Sequence, residues 1–168
     1  MIFNALPPDA KIWIYIADRN LTPTLQETVL QTLGSFFKTW KSHGRVVHGA
    51  ARFWENRFLC VGAYVEQGEI SGCGIDASVH EIAPIAQSLG FAWDSPLMVL
   101  FRDAQSNIQA VPRAAFRKMV QEQKVGPETI VFNPGITTVG ELLGGGFELP
   151  LKDSWHARIF RLPATVDG

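Results

Sequence analysis

Apolar residues dominate "KIWIYIAD" (11–18), which is bounded by Pro8 before it and "RNLTP" after it, and this predicts a first strand. In "TPTLQETVLQTLGSFFKTWKSHG", Leu25, Val29, Leu33, Phe36 and Trp40 recur at helical spacing. Thr24 with Glu27 makes a capping box and Gly44 suits the position after the last turn, so the stretch predicts a first helix. "RVVHGAARFW" and "RFLCVGAYVE" are extended runs separated by "EN", a hairpin pattern. "SGCGID" reads as a loop, and "DASVHEIAPIAQSLG" as a second helix with Val79, Ile82, Ala86 and Leu89 on one face, Pro84 inside and Gly90 at its end. "LMVLFRD" (97–103) predicts a fourth strand.

This β-α-β-β-α-β order predicts an α+β fold with a ferredoxin-like core and antiparallel sheet over residues 1–103. The remainder, 104–168, reads as an αβ extension packed on that core within one compact domain. "NIQAVP" is expected to pair with strand four, and "PRAAFRKMVQEQ" to form a short helix opened by Pro112 and closed near Gly126. "TIVFN" and "WHARIF" read as late strands, and "TVGELLGGG" as a helical turn begun by Thr138 and Glu141. Both faces of the first strands are apolar: Ile12, Ile14 and Ile16 oppose Trp13, Tyr15 and Ala17. An antiparallel sheet with one wet face alternates with polar residues, so the second face needs a cover. The extension is the simplest one; a second copy of the chain or an apolar ligand are the others.

Composition narrows the function classes. With 46% hydrophobic and 18% charged residues in 168, the chain can build a full core. Fifteen basic against sixteen acidic residues, with no Lys/Arg block, argue against nucleic acid. Charged residues interrupt every apolar run before it reaches membrane-spanning length. The start, "MIFNALPPDAK", does not read as a leader, and two cysteines thirteen apart do not make a disulfide framework. The expectation is a soluble cytoplasmic protein.

Candidate chemistry gathers around "SGCGIDASVH" (71–80). In up-and-down threading, His43 at the end of helix one, His48 at the start of strand two and Asp103 at the end of strand four share a rim with the loop before helix two. Cys73 sits just before a helix N-terminus, where exposed amides favour a thiolate, and an imidazole such as His43 would serve as its base. Asp76 would orient that base or cap the helix, with Ser71, Gly72 and Gly74 shaping the loop. The competing reading makes Cys73 a packing residue in a tight turn, Asp76 a cap, and His80 its local partner on the helix surface. "GCGIDA" matches G-x-G-x-x-A, yet it follows a hairpin rather than a parallel βαβ unit, so a dinucleotide site is disfavoured. A small anion on the free amides of the helix N-terminus fits better.

Four His and two Cys without metal-ligand spacing imply no metal centre, and no cofactor is implied. "IYIAD" resembles the first strand of an RNA-recognition sheet, but "RFLCVGAY" lacks the aromatic pattern of the third. Near the end, Trp155, His156 and Arg158 either close over a site or pin the last strand.

"WIYIADR", "FFKTWKSHG", "SGCGIDASV", "TIVFN" and "SWHARIF", in this order, resemble a group of uncharacterised bacterial proteins of about this length, often labelled ABC-transporter ATPase. The resemblance brings no mechanism. No G-x-x-x-x-G-K-[ST] loop occurs anywhere in the chain, so there is no recognisable grip on ATP phosphates. The group usually carries "SGCSID", where this chain has Gly74. The functional expectation is a thiol-containing pocket at one sheet rim; the alternative is a non-catalytic binding or scaffold module in which "SGCGID" is a structural turn.

Overall fold

The computed structural model describes residues 5–162; residues 1–4, the opening of the stretch considered above as a leader, lie outside them. The chain is α+β and forms two compact units. The first comprises the described residues up to Asp94 together with Gly135–Gly144; the second comprises Ser95–Pro134 together with the described residues from Gly145 on.

The first unit holds β1 (Lys11–Ile16), α1 (Pro23–Phe37), β2 (Lys41–Ser42), β3 (Arg45–Val46), β4 (His48–Trp54), β5 (Phe58–Tyr64), α2 (Gly72–Leu89) and, after the excursion through the second unit, α4 (Val139–Leu143). Its main sheet is antiparallel in the order β1-β5-β4. The register sets Trp13 and Ala51 beside Val61, and Tyr15 and Phe53 beside Leu59. That face packs with Val29 and Leu33 of α1 and Ile82, Ile85 and Ala86 of α2. On the opposite face Phe58 and Cys60 are fully buried, so neither face is bare. Burial pushes the Cys60 thiol up to about 12, which leaves it an inert packing group.

The expected strand at 97–103 is present but takes different partners. β6 (Val99–Arg102) pairs with β7 (Ile108–Val111) and with β8 (Ile130–Phe132), and not with β1. The outer edge of β1 is bridged at its two ends instead, by Trp93 opposite Ala17 and by Thr138 opposite Lys11. Asp94 N–H donates to the Ile16 carbonyl at 2.7 Å, and Ile12 N–H to that of Thr137 at 3.1 Å. Immediately after Asp94 come Ser95 and Pro96, and a proline has no N–H to continue the ladder. The chain leaves the edge there and rejoins it some forty residues on, so Ser95–Pro134 interrupts what would be one edge strand.

The second unit has a four-stranded antiparallel sheet, β7-β6-β8-β9, closed by β9 (Glu148–Pro150), together with α3 (Arg113–Gln121), a 3-10 turn (Leu151–Asp153) and α5 (His156–Ile159). Its core joins Val99, Phe101, Phe116, Val120, Val131, Leu151 and Phe160. "WHARIF", expected as a strand, is helical. The Ser154 hydroxyl accepts the His156 N–H at 3.2 Å and turns the chain, after which Phe160 N–H bonds the His156 carbonyl.

Gly49 in β4 marks where the sheet meets the aromatic end of α1. A Cβ there would lie 2.7 Å from Phe37 Cδ1 and 3.0 Å from Trp40 Cζ3. Gly49→Ala is expected to lower stability by about 1–3 kcal/mol in urea unfolding, through overpacking rather than through loss of a contact.

Candidate functional site: the rim of the first unit

Helix α1 ends at Phe37, earlier than its apolar spacing suggests, because residues 38–47 turn back as a small hairpin. His43 and Gly44 form its tip with φ of +50° and +75°. A turn with two left-handed positions suits Gly, and His is among the residues that tolerate the region. His43 is therefore an exposed turn residue and not a helix end.

"SGCGID" is likewise not a loop. Ser71 is the N-cap of α2, its hydroxyl accepting the Gly74 N–H at 3.2 Å, so the helix starts at Gly72 and Cys73 and Asp76 lie inside its first two turns. The two segments are clasped together. Ser42 Oγ sits 2.6 Å from Ser71 Oγ and accepts the Ser71 N–H at 3.0 Å, while Trp40 Nε1 donates to the Gly74 carbonyl at 2.9 Å. Gly74 permits this approach, since a Cβ would fall 2.9 Å from the Ser42 side chain and 3.0 Å from Ile70 Cγ2. Beneath the clasp, Trp40, Val47, Ala63, Val65 and Ile70 form a core of their own. The topology thus brings the hairpin carrying His43 to the helix start carrying Cys73, each next to a clasped serine.

The side chains themselves are not assembled for nucleophilic catalysis. Cys73, His43 and Asp76 are exposed, and no hydrogen bond or ion pair joins any two of them. Asp76 does not cap the helix, because Ser71 does. His80 Nδ1 lies 2.9 Å from the Asp76 backbone carbonyl, not from its carboxylate. Gly72 is exposed at the first helical position, and Ser71 takes up the N–H groups of Gly74 and Ile75 through its hydroxyl and its carbonyl. His48 stacks on Tyr64 at 4.9 Å and faces Glu66 at 3.6 Å. Asp103 belongs to the second unit, where it organises the β6–β7 turn. It accepts the side-chain amide of Gln109 and the N–H groups of Gln105 and Asn107, and these bonds hold its carboxyl below the usual range.

Two depressions flank the segment 65–70 of this rim. One, of about 650 Å³, is lined by Asp9, Lys11, Tyr64, Glu66, Glu69 and Thr138 among others. The second, of about 370 Å³, lies between Arg45, Val46, His48, Glu66 and Gln67. The Arg45 guanidinium donates to the Gln67 carbonyl and closes the hairpin over Gly68, whose φ is +89°. Apart from His48, these cleft residues escaped sequence reasoning because they come from scattered positions with no motif to mark them. Among the described residues no three His, Cys, Asp or Glu side chains group as a metal site requires, and no helix is long and apolar enough to cross a membrane.

In the second unit, His156 is 2% exposed, its Nδ1 2.5 Å from Ser154 Oγ and its ring stacked on Trp155 at 3.8 Å. This hydrogen bond between the hydroxyl and Nδ1 holds the ring in place. Burial, with Arg113 nearby, pushes the imidazole down to about 4. Trp155 Nε1 donates to Asn133 Oδ1 at 3.0 Å, which ties this helical segment to the residue that follows β8. Arg158 is exposed on α5.

No family model matches the chain, and no curated protein or solved structure matches it.

Two outcomes are expected. A disulfide reagent such as DTNB titrates one thiol per native chain, Cys73, and the second only on unfolding; rapid reaction of both in the native protein would contradict the burial of Cys60. His156 stays neutral when folded, whereas in the unfolded chain it takes up a proton as pH falls below about 6.5. Stability therefore declines between that value and about 4, by up to about 3 kcal/mol, and levels off below. Urea midpoints against pH measure the slope, and His156→Gln removes this part of it.

Proposed function

We propose that the protein is a non-catalytic binding module whose ligand face is the rim cleft of the first unit. The observation that carries this reading is the contrast between two neighbouring segments. In 71–76 the cap hydroxyl and the Gly74 carbonyl are committed to structure, and the thiol has no base beside it. In 64–69 charged and aromatic side chains line an open volume of about 650 Å³, within the range of small-molecule sites. Asp9, Glu66 and Glu69 outnumber Lys11 along it, which favours a ligand bearing a cationic group. The "SGCGID" segment then serves as the clasp that holds the cleft's floor. The β-α-β-β-α order, with an edge bridged at both ends, supports a ferredoxin-like ancestry for this unit, its fourth strand split by an insertion.

The experiment is a titration of ¹⁵N-labelled full-length protein with agmatine, and with glutarate as the anionic contrast. Agmatine produces saturable shifts at Lys11, Tyr64 and Glu69, and Asp9→Asn with Glu69→Gln weakens it about fivefold or more. Cys73→Ser leaves the affinity unchanged. Shifts from neither compound, or equal shifts from both, would refute the reading; loss of binding in Cys73→Ser would return the thiol to the centre of it.

A further inference from the structure

A second depression, of about 420 Å³, lies in the second unit between the end of α3 and the chain that follows α5. Arg117, Gln121, Gln123, Ile159, Phe160 and Arg161 line it. We infer that it binds a small anion that joins a phosphate or carboxylate head to an apolar body.

Charge is the first ground. The second unit's stretches carry more Lys and Arg than Asp and Glu, and none of its described carboxylates lines this groove. Glu122 faces Lys118 at 3.7 Å and Lys124 at 3.0 Å, Glu128 faces Lys152 at 2.5 Å, Glu148 faces Arg102 at 2.5 Å, and Asp103 is used by its own turn. Arg113, Arg117, Arg158 and Arg161 have no carboxylate within 4.0 Å among the described residues. Two of these, Arg117 and Arg161, line the groove and give it a positive field that an anion relieves.

Order is the second ground. A lone surface arginine samples many rotamers, but two of these are laid on aromatic rings. Arg113 lies 5.5 Å from the Trp155 centroid and Arg117 5.8 Å from that of Phe160. Of the two, Arg117 lines the groove, and its contact with the Phe160 ring favours an ordered guanidinium, the group whose forked N–H donors suit phosphate and carboxylate.

The groove's shape is the third. Gln123 and Arg161, both in its lining, have φ of +57° and +51°, positions that non-glycine residues occupy at a cost. Ile159 is 45% exposed beside them, an apolar wall next to the cations. A bare inorganic anion would use only the arginines; the wall and the Phe160 ring call for a ligand with an apolar part.

The test uses full-length protein titrated with phenyl phosphate, cyclohexanecarboxylate and benzyl alcohol, read by amide shifts. Phenyl phosphate or the carboxylate, or both, give saturable shifts at Arg117, Gln121 and Arg161, and the stronger of the two identifies the head group. Benzyl alcohol does not. Arg117→Gln and Arg161→Gln each weaken binding roughly five- to tenfold, and added NaCl weakens it in the unaltered protein. Both positions are exposed, so the variants fold, which circular dichroism verifies. Shifts that fail to saturate, that match those of benzyl alcohol, or that persist in both variants overturn the inference. Agmatine binding in the first unit is read at different amides, so either site can fail alone.

Discussion

Everything in the first unit follows from the burial of β5 on both faces and both edges. Phe58, Leu59, Cys60, Val61 and Ala63 are cut off from water, so each backbone N–H and carbonyl there must find a partner within the sheet. β1 and β4 supply those partners, one on each side, through registers that run almost the full length of the strand. Two helices then cover one face. At roughly 25 cal/mol per Å² of apolar surface removed from water, burying this strand contributes to the stability of the unit. It also fixes where the strand's ends emerge, and so where the rim is.

From that constraint the clasp follows. Strand β5 ends at Tyr64 and α2 begins at Gly72, so the chain has seven residues in which to leave the sheet and start a helix. Ser71 and Ser42, with Trp40 on the Gly74 carbonyl, anchor the far end of that passage, and Arg45 holds its middle at Gln67. A segment tied at its ends and midpoint keeps its side chains in place without a regular structure of its own. Preorganisation of this kind reduces what a ligand must spend on ordering its site. The same clasp accounts for a cysteine that looks reactive on paper and is not assembled for chemistry. Its neighbours in sequence are engaged in holding two elements together.

Much of the local structure was legible. The first strand, the "EN" hairpin, helix two's end at Gly90, the β6–β7 pair, α3 and the Thr138 turn all stand where periodicity and turn residues placed them. Several element ends were misread; at the start of α1 the cap is Thr22, whose hydroxyl accepts the Leu25 N–H, and not Thr24. The end of α1, the start of α2 and the "WHARIF" segment were each decided by a hydroxyl or indole bonding to a distant or local backbone group, and apolar spacing does not register such bonds. Val79 illustrates this: it fits the apolar stripe of α2 but is 41% exposed, since the buried face runs through Ser78, Ile82, Ile85 and Ala86. The clefts were illegible for a different reason. Asp9, Lys11, Glu66 and Glu69, like Arg117 and Arg161, come from separate parts of the chain and carry no shared pattern.

By itself the sequence determined the α+β class, the type of most elements and the requirement that both sheet faces be covered, because these depend on which residues avoid water and at what period. Partner choice beyond the local hairpins was decided by the tertiary structure. The strand at 99–102 has the same apolar character whichever sheet it joins; it pairs with β7 and β8, while Trp93 and Thr138 bridge the ends of β1's outer edge. Hydrophobic pattern sets how much surface must be buried, while backbone hydrogen bonding, which every residue but proline offers equally, sets against whom.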